Sequence, residues 1–227
     1  VSFEQHLIEV KTELIKNAGA GHKLLAAQEI NTSTVPAACI MLVVAGSNAW
    51  EHEALVPCAV SLELLRLGIE KHYQSQDNPL RDKNLDLVSA DYYYAQAIKL
   101  VSVFGRGEIV ACLVKAIADV AESQAAINML ENGQTLSDYF VQKRAGLYLA
   151  AVDMGFLLNG GSNEQARNSL KRFAGLYSLS SDLNGGCDSQ AARDRVEVLK
   201  SDVFGELSFL PHHMLDALDD LVAHRLQ

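Results

Sequence analysis

Three carboxylates near the C-terminal end, Asp216, Asp219 and Asp220, have the spacing that divalent-cation chemistry would need, because positions i, i+3 and i+4 share one face of a helix. Met214, Leu215, Leu218, Leu221 and Val222 supply an apolar face to the same segment, so the acids read as its solvated side. Glu51, His52 and Glu53 form the other dense polar cluster. No second cluster matches it, and it reads as a solvated loop. His212 and His213 follow Pro211 at a helix start and read as surface histidines. Cys39, Cys58, Cys112 and Cys187 lie far apart, with no CxxC pair and no histidine-rich surroundings. That argues against a zinc site and suits free thiols of a reducing compartment. No metal is expected in this chain.

The other stretch with chemical character is aromatic. Residues 88–106, VSADYYYAQAIKLVSVFGR, read as a helix opened by Ser89, with Asp91 in its first turn, and closed by Gly105 and Gly107. Tyr92, Tyr93 and Tyr94 are consecutive, and successive helical residues point about 100° apart, so the rings cannot all face one core. Three uses stay open to them: ordinary core packing, the lining of a ligand tunnel, and a subunit interface.

The elements that must position these residues are helices. Hydrophobic residues make up 49% of 227 positions and there are only four prolines, which suits a single all-α domain over 1–227 with one sizeable core. Residues 3–16 place Phe3, Leu7, Ile8, Val10, Leu14 and Ile15 in an approximate helical stripe. A helix over 36–46 starts on Pro36 and is apolar nearly all round, which predicts burial. Further helices are expected over 54–73, over 108–131 with its acids facing out, and over 138–158, preceded by Thr135 and Ser137 and closed by Gly160 and Gly161. The next begins at Ser162 and Asn163 and runs to about residue 180. Residues 185–206 suggest a loop leading into a short charged helix, and the last helix covers about 211–225. Eight or nine helices result.

A formal net charge of −9 argues against nucleic-acid partners and anionic membrane surfaces. The longest apolar run, Val35 to Ala45, is about half of what a bilayer crossing needs, and no signal-peptide pattern is seen. The cytoplasm is the expected location.

The order of helices and several short motifs resemble the trans-type polyprenyl diphosphate synthases. SADYYYAQAIKL resembles the segment of that family in which a small-Gly-Asp-Tyr-Leu run opens a helix, with Asp91 and Tyr92 in matching places. KRAGLYLAAVDMGFLLNGG resembles the Lys-Thr-Ala segment, so that Lys143 matches the lysine and Arg144 replaces the threonine. LPHHMLDALDDLVAHRL is similar to the closing helix. The resemblance implies an isoprenoid-synthase-like bundle of mostly antiparallel helices, and makes Lys143 and Arg144 candidates for contact with a diphosphate.

In that family an allylic diphosphate ionises, and its leaving group is held by about three Mg²⁺ ions between two aspartate-rich motifs. At the position of the first motif, His72 is followed by Tyr73, Gln74, Ser75, Gln76 and Asp77. At the second stand Ser181, Asp182, Leu183, Asn184 and Gly185. Asp77 and Asp182 are thus single relics of two clusters. The early Gly-Lys and Arg-Pro grip is also missing, since Ser33, Thr34 and Val35 precede Pro36, and the segment before the closing helix is short. The resemblance therefore implies a non-catalytic subunit, similar to the small component of bacterial heptaprenyl and hexaprenyl diphosphate synthases. It would pair with a catalytic synthase that carries the Mg²⁺, or with itself. A divergent Mg²⁺-dependent enzyme using Asp77 and Asp182, and a stand-alone isoprenoid-binding homodimer, are the alternatives.

Overall fold

The computed structural model describes residues 2–19, 32–46, 49, 52–77, 83–129, 143–161, 163–183 and 190–226. Among them the backbone forms nine α-helices and no strand, the all-α class expected. In chain order these are α1 (Phe3–Gly19), α2 (Pro36–Ala45), α3 (Leu55–Asp77), α4 (Lys83–Ser102), α5 (Gly107–Asn128), α6 (Gly146–Asn159), α7 (Glu164–Leu183), α8 (Gln190–Glu206) and α9 (His212–Leu226).

The bundle is built around α2. All ten of its residues are buried, as its unbroken apolar sequence requires, and it packs on α6, α3, α1 and α9. The approach of α6 depends on Gly155, where a Cβ would sit 2.7 Å from Val44 Cβ and 2.9 Å from the Met41 carbonyl oxygen. Only glycine fits there. The pairing of α3 with α4 is the most extensive in the molecule, and α5 joins α4 to α6.

Local chemistry accounts for three of the helix ends. Ser2 and Gln5 form a reciprocal cap on α1: the Gln5 N–H donates to Ser2 Oγ at 3.3 Å and the Ser2 N–H to Gln5 Oε1 at 2.7 Å. At the start of α7 the Ala166 N–H donates to Asn163 Oδ1 at 3.1 Å. Gly160, at φ 65°, ends α6 in the left-handed region that favours glycine.

Several expectations need correction. The Tyr-rich helix opens at Lys83, not at Ser89, whose hydroxyl donates instead to the Leu85 carbonyl at 2.6 Å from within the helix. Gly107 does not help close it but is the first residue of α5. Helix α3 runs on to Asp77, four residues past the expected end at 73. On α1, Ile8 and Ile15 are exposed, because the buried stripe runs through Phe3, His6, Val10, Leu14 and Ala18. Asp119 of α5 points inward instead of out, for a reason given below. The helix over 190–206 is 17 residues long, not short, and buries Val196 and Val203 against its neighbours. Thr135, Ser137, Glu51 and Cys187 lie outside the described residues.

Candidate functional site

The last turns of α3 hold the residues that matter most. Asp77 is the final residue of the helix, and Asp182 lies in the last turn of α7; both side chains are outside the described set. A helix C-terminus carries partial negative charge and so attracts cations and repels a bare phosphate. One carboxylate at each end is a weak donor set for several Mg²⁺ ions. Among the described residues no group of three His, Cys, Asp or Glu side chains is placed to hold a metal. The described residues thus offer no donor set that fits a multi-metal diphosphate site.

The turns just before Asp77 are committed to internal contacts. Lys71 Nζ lies 3.0 Å from Asp86 Oδ1, tying α3 to α4. His72 stacks on Tyr94, with ring centroids 6.5 Å apart and planes 21° from parallel. One turn earlier, Gly68 faces the same ring so closely that an added Cβ would lie 2.5 Å from Tyr94 Cε1. The consecutive tyrosines do face different ways, as expected: Tyr93 is buried in the core, Tyr94 covers α3, and the Tyr92 hydroxyl donates to the Asn17 carbonyl of α1 at 3.3 Å.

Deeper in α3, Glu63 and Arg66 are both buried. Glu63 Oε1 accepts the Ala38 N–H at 2.9 Å, which satisfies a free donor in the first turn of α2. Its other oxygen accepts from Arg66 Nε at 2.5 Å, and Arg66 Nη1 donates to Glu70 Oε1 at 2.6 Å. Burial opposes the charge on Arg66, but Glu63 and Glu70 outweigh it and push the guanidinium pKa further up.

Lys143 precedes α6 and meets α5, where its Nζ lies 3.0 Å from Asp119 Oδ1 and 2.7 Å from Glu122 Oε2. Lys115 also pairs with Asp119. Burial raises the Asp119 pKa, yet the hydrogen bonds from Lys115 and Lys143 prevail and hold it below the usual aspartate value. These two lysines are why Asp119 turns inward. Beside it, Gly146 lets α6 approach until its Cβ position would be 3.0 Å from Asp119 Cβ. Arg144, the neighbour of Lys143, is exposed.

No family model matches the sequence, and no curated protein matches it. Solved structures do. An octaprenyl pyrophosphate synthase from Helicobacter pylori superposes with a TM-score of 0.77 at 10% identity, covering 98% of this chain and 100% of that one. The chain has the isoprenoid-synthase fold. A decaprenyl diphosphate synthase from Rhodobacter capsulatus gives 0.72 at 16% identity over 99% of this chain and 96% of its own. The small subunit of geranyl diphosphate synthase from Antirrhinum majus gives 0.66 at 15% identity over 98% and 100%.

On this isoprenoid-synthase fold the other sequence candidates separate. Asp216 and Asp220 are exposed, and Asp219 pairs with Lys200 at 2.6 Å beside an open cleft of about 500 Å³ between α8 and α9. His212 and His213 are exposed, with His213 edge-on to Phe3 at 6.4 Å. His52 is more than a loop residue, since its Nδ1 accepts the Ala54 N–H at 3.1 Å. Together with Glu53 it lines a cleft of about 420 Å³ whose other wall carries His6, Glu9 and Glu13 of α1. Sequence reading missed that grouping. Glu9 and Glu13 share a helix face by i, i+4 spacing, but nothing local says that His52 and Glu53 lie across from them. Among the described residues no helix is long and apolar enough to cross a membrane.

Proposed function

We propose that this chain is a catalytically silent relative of the trans-polyprenyl diphosphate synthases, acting as the small, regulatory subunit of a heteromeric synthase. The observation that carries the reading is the end of α3. Where metal-binding carboxylates would have to stand, the helix ends in Tyr73, Gln74, Ser75, Gln76 and Asp77, behind a Lys71 held by Asp86 and a His72 stacked on Tyr94. Ionising an allylic diphosphate needs its leaving group neutralised, and a single carboxylate at that end does not supply the required oxygen ligands. The superposition with a protein itself described as a small subunit supports the same reading. In this role the chain would complete the structure of a catalytic partner, bias the length of its isoprenoid product and bind no Mg²⁺ itself.

The test is incorporation of labelled isopentenyl diphosphate into an allylic primer with Mg²⁺, using this chain, a catalytic synthase from the same genome, and the two mixed. The expected result is activity, or a changed product length, that depends on the mixture. Turnover by this chain alone would favour the divergent enzyme acting through Asp77 and Asp182. Tight binding of an isoprenoid without turnover or any effect on a synthase would favour the stand-alone binding protein.

A further inference from the structure

The face of α3 that leads down from Asp77 is charged where it is buried. Positions 63, 66, 70, 73 and 77 alternate steps of three and four residues and so lie in one stripe of the helix. Glu63, Arg66 and Glu70 occupy the inner part of that stripe, with Glu63 and Arg66 in the core and Glu70 half-buried at its edge. Arg66 stands 11 residues before Asp77, about 16 Å down the helix axis. Two other helices close on it. Tyr148, in the first turn of α6, and Tyr177, five positions before Asp182 in α7, are buried and meet edge to face with ring centroids 4.7 Å apart. Tyr148 lies within electrostatic reach of Arg66, and α6 packs on both α3 and α7. Arg66, Tyr148 and Tyr177 thus form a chain of side chains across three helices.

An isoprenoid diphosphate has a charged head and a long apolar tail. Held by its head between the ends of α3 and α7, it would have to lead the tail inward along this stripe. A path for such a tail is lined mainly by apolar side chains, because a charge beside it loses its water and gains no partner. Here the charges are already matched to one another. The two Glu63 oxygens accept from the Ala38 N–H at 2.9 Å and from Arg66 Nε at 2.5 Å, and Arg66 Nη1 donates to Glu70 Oε1 at 2.6 Å. A tail could pass only by displacing Arg66 and leaving the Glu63 carboxylate buried without it. We infer that Glu63, Arg66 and Glu70, closed from the far side by Tyr148 and Tyr177, fill the path of an isoprenoid tail and so set this chain's specificity: it takes no isoprenoid into the bundle.

This deepens the silent-subunit reading, on which it rests for the place of the diphosphate head, and it means that any effect on product length is exerted on the partner from outside this bundle. Clefts of about 420, 500 and 260 Å³ occur elsewhere, and none of the three is lined by Glu63, Arg66, Glu70, Tyr148 or Tyr177.

The experiment titrates geraniol, an isoprenoid alcohol without the charged head, into the purified chain by calorimetry, so that neither a metal nor a partner is involved. Wild type is compared with Glu63→Gln plus Arg66→Ala, with Tyr148→Ala, and with Glu63→Gln plus Arg66→Met, each checked for native fold by circular dichroism. The expected result is no saturable binding by wild type up to about 1 mM, and a dissociation constant of about 100 µM or tighter in the two variants that open the path, a gain of about tenfold or more. The variant with Arg66→Met should stay closed, because methionine refills the space without charge. Saturable binding by wild type would overturn the inference. So would opened variants of native fold that bind no better than wild type, or binding as tight with Arg66→Met as with Arg66→Ala. Tyr148→Ala leaves the charges in place and keeps the test decisive if the double variant does not fold. Failure of the subunit reading shows elsewhere: it appears as incorporation of isopentenyl diphosphate that does not change on mixing with a synthase, whereas failure of this inference appears as geraniol bound by the wild-type chain alone.

Discussion

Gly68 and Tyr94 are fitted to each other: a Cβ on Gly68 would lie 2.5 Å from Cε1 and 2.7 Å from Cδ1 of the Tyr94 ring, and 3.2 Å from the Ala90 carbonyl oxygen. The glycine that loosens α3 by sequence is what allows α4 to lie along it. Through the stacked His72, the same ring reaches the last turns of α3.

Gly68→Ala is therefore expected to destabilise the fold by about 1–2 kcal/mol, although alanine would favour an unconstrained helix by up to about 1 kcal/mol. In the background of Tyr94→Ala, where the ring is gone, the same substitution should become neutral or stabilising. Urea unfolding of the four proteins of the cycle measures the coupling. Additive effects would show that the two residues do not share this space.

The buried Glu63–Arg66 pair predicts an asymmetric response. Arg66→Leu leaves the Glu63 carboxylate in the core without its main partner and is expected to cost about 3–5 kcal/mol. Adding Glu63→Gln, which removes that charge and keeps an oxygen for the Ala38 N–H, should recover part of the loss. A double variant less stable than Arg66→Leu alone would contradict this account.

Asp119 sets a pH dependence with a definite sign. Its folded pKa lies below the model-compound value of 3.8, so it contributes stability that is present above that pH and lost as the pH falls through the folded value. Asp119→Asn is expected to cost about 1 kcal/mol at about pH 6, through the lost pairing with Lys115 and Lys143. The gap between wild type and variant should then narrow as the pH is lowered below 3.8. Thermal melts across that range would show it. A gap that widens in acid would reverse the sign.

Burial pushes the thiols of Cys39 and Cys58 up to about 12, with Glu63 adding to the effect at Cys39. Both should resist iodoacetamide in the folded protein at neutral pH and react fully in denaturant, because the thiolate is the nucleophile. Peptide mapping by mass spectrometry distinguishes these sites from Cys112 and Cys187. Rapid native labelling of Cys39 would mean that α2 is not the sealed centre of the bundle.

What the sequence determined by itself is what depends on near neighbours along the chain. Periodicity identified the helices, unbroken apolar character marked α2 as buried, Asn163 marked the start of α7 and Gly160 the end of α6. That Asp77 is the one carboxylate among the five residues after His72, and that Asp182 stands between Ser181 and Leu183, was also legible, since it concerns residue identities alone. Tertiary structure decided whatever depends on residues distant in sequence. Asp119 looks solvent-facing until Lys143, 24 positions away, is brought beside it, and Ser89 looks like a cap only until α4 is seen to start earlier. The fit of Tyr94 against Gly68 spans 26 positions, and the cleft of His6, Glu9, Glu13, His52 and Glu53 joins the first helix to the start of the third. Local sequence sets the energy of a turn or a helix face; which faces meet is set by how whole helices pack, and no short window of sequence contains that information.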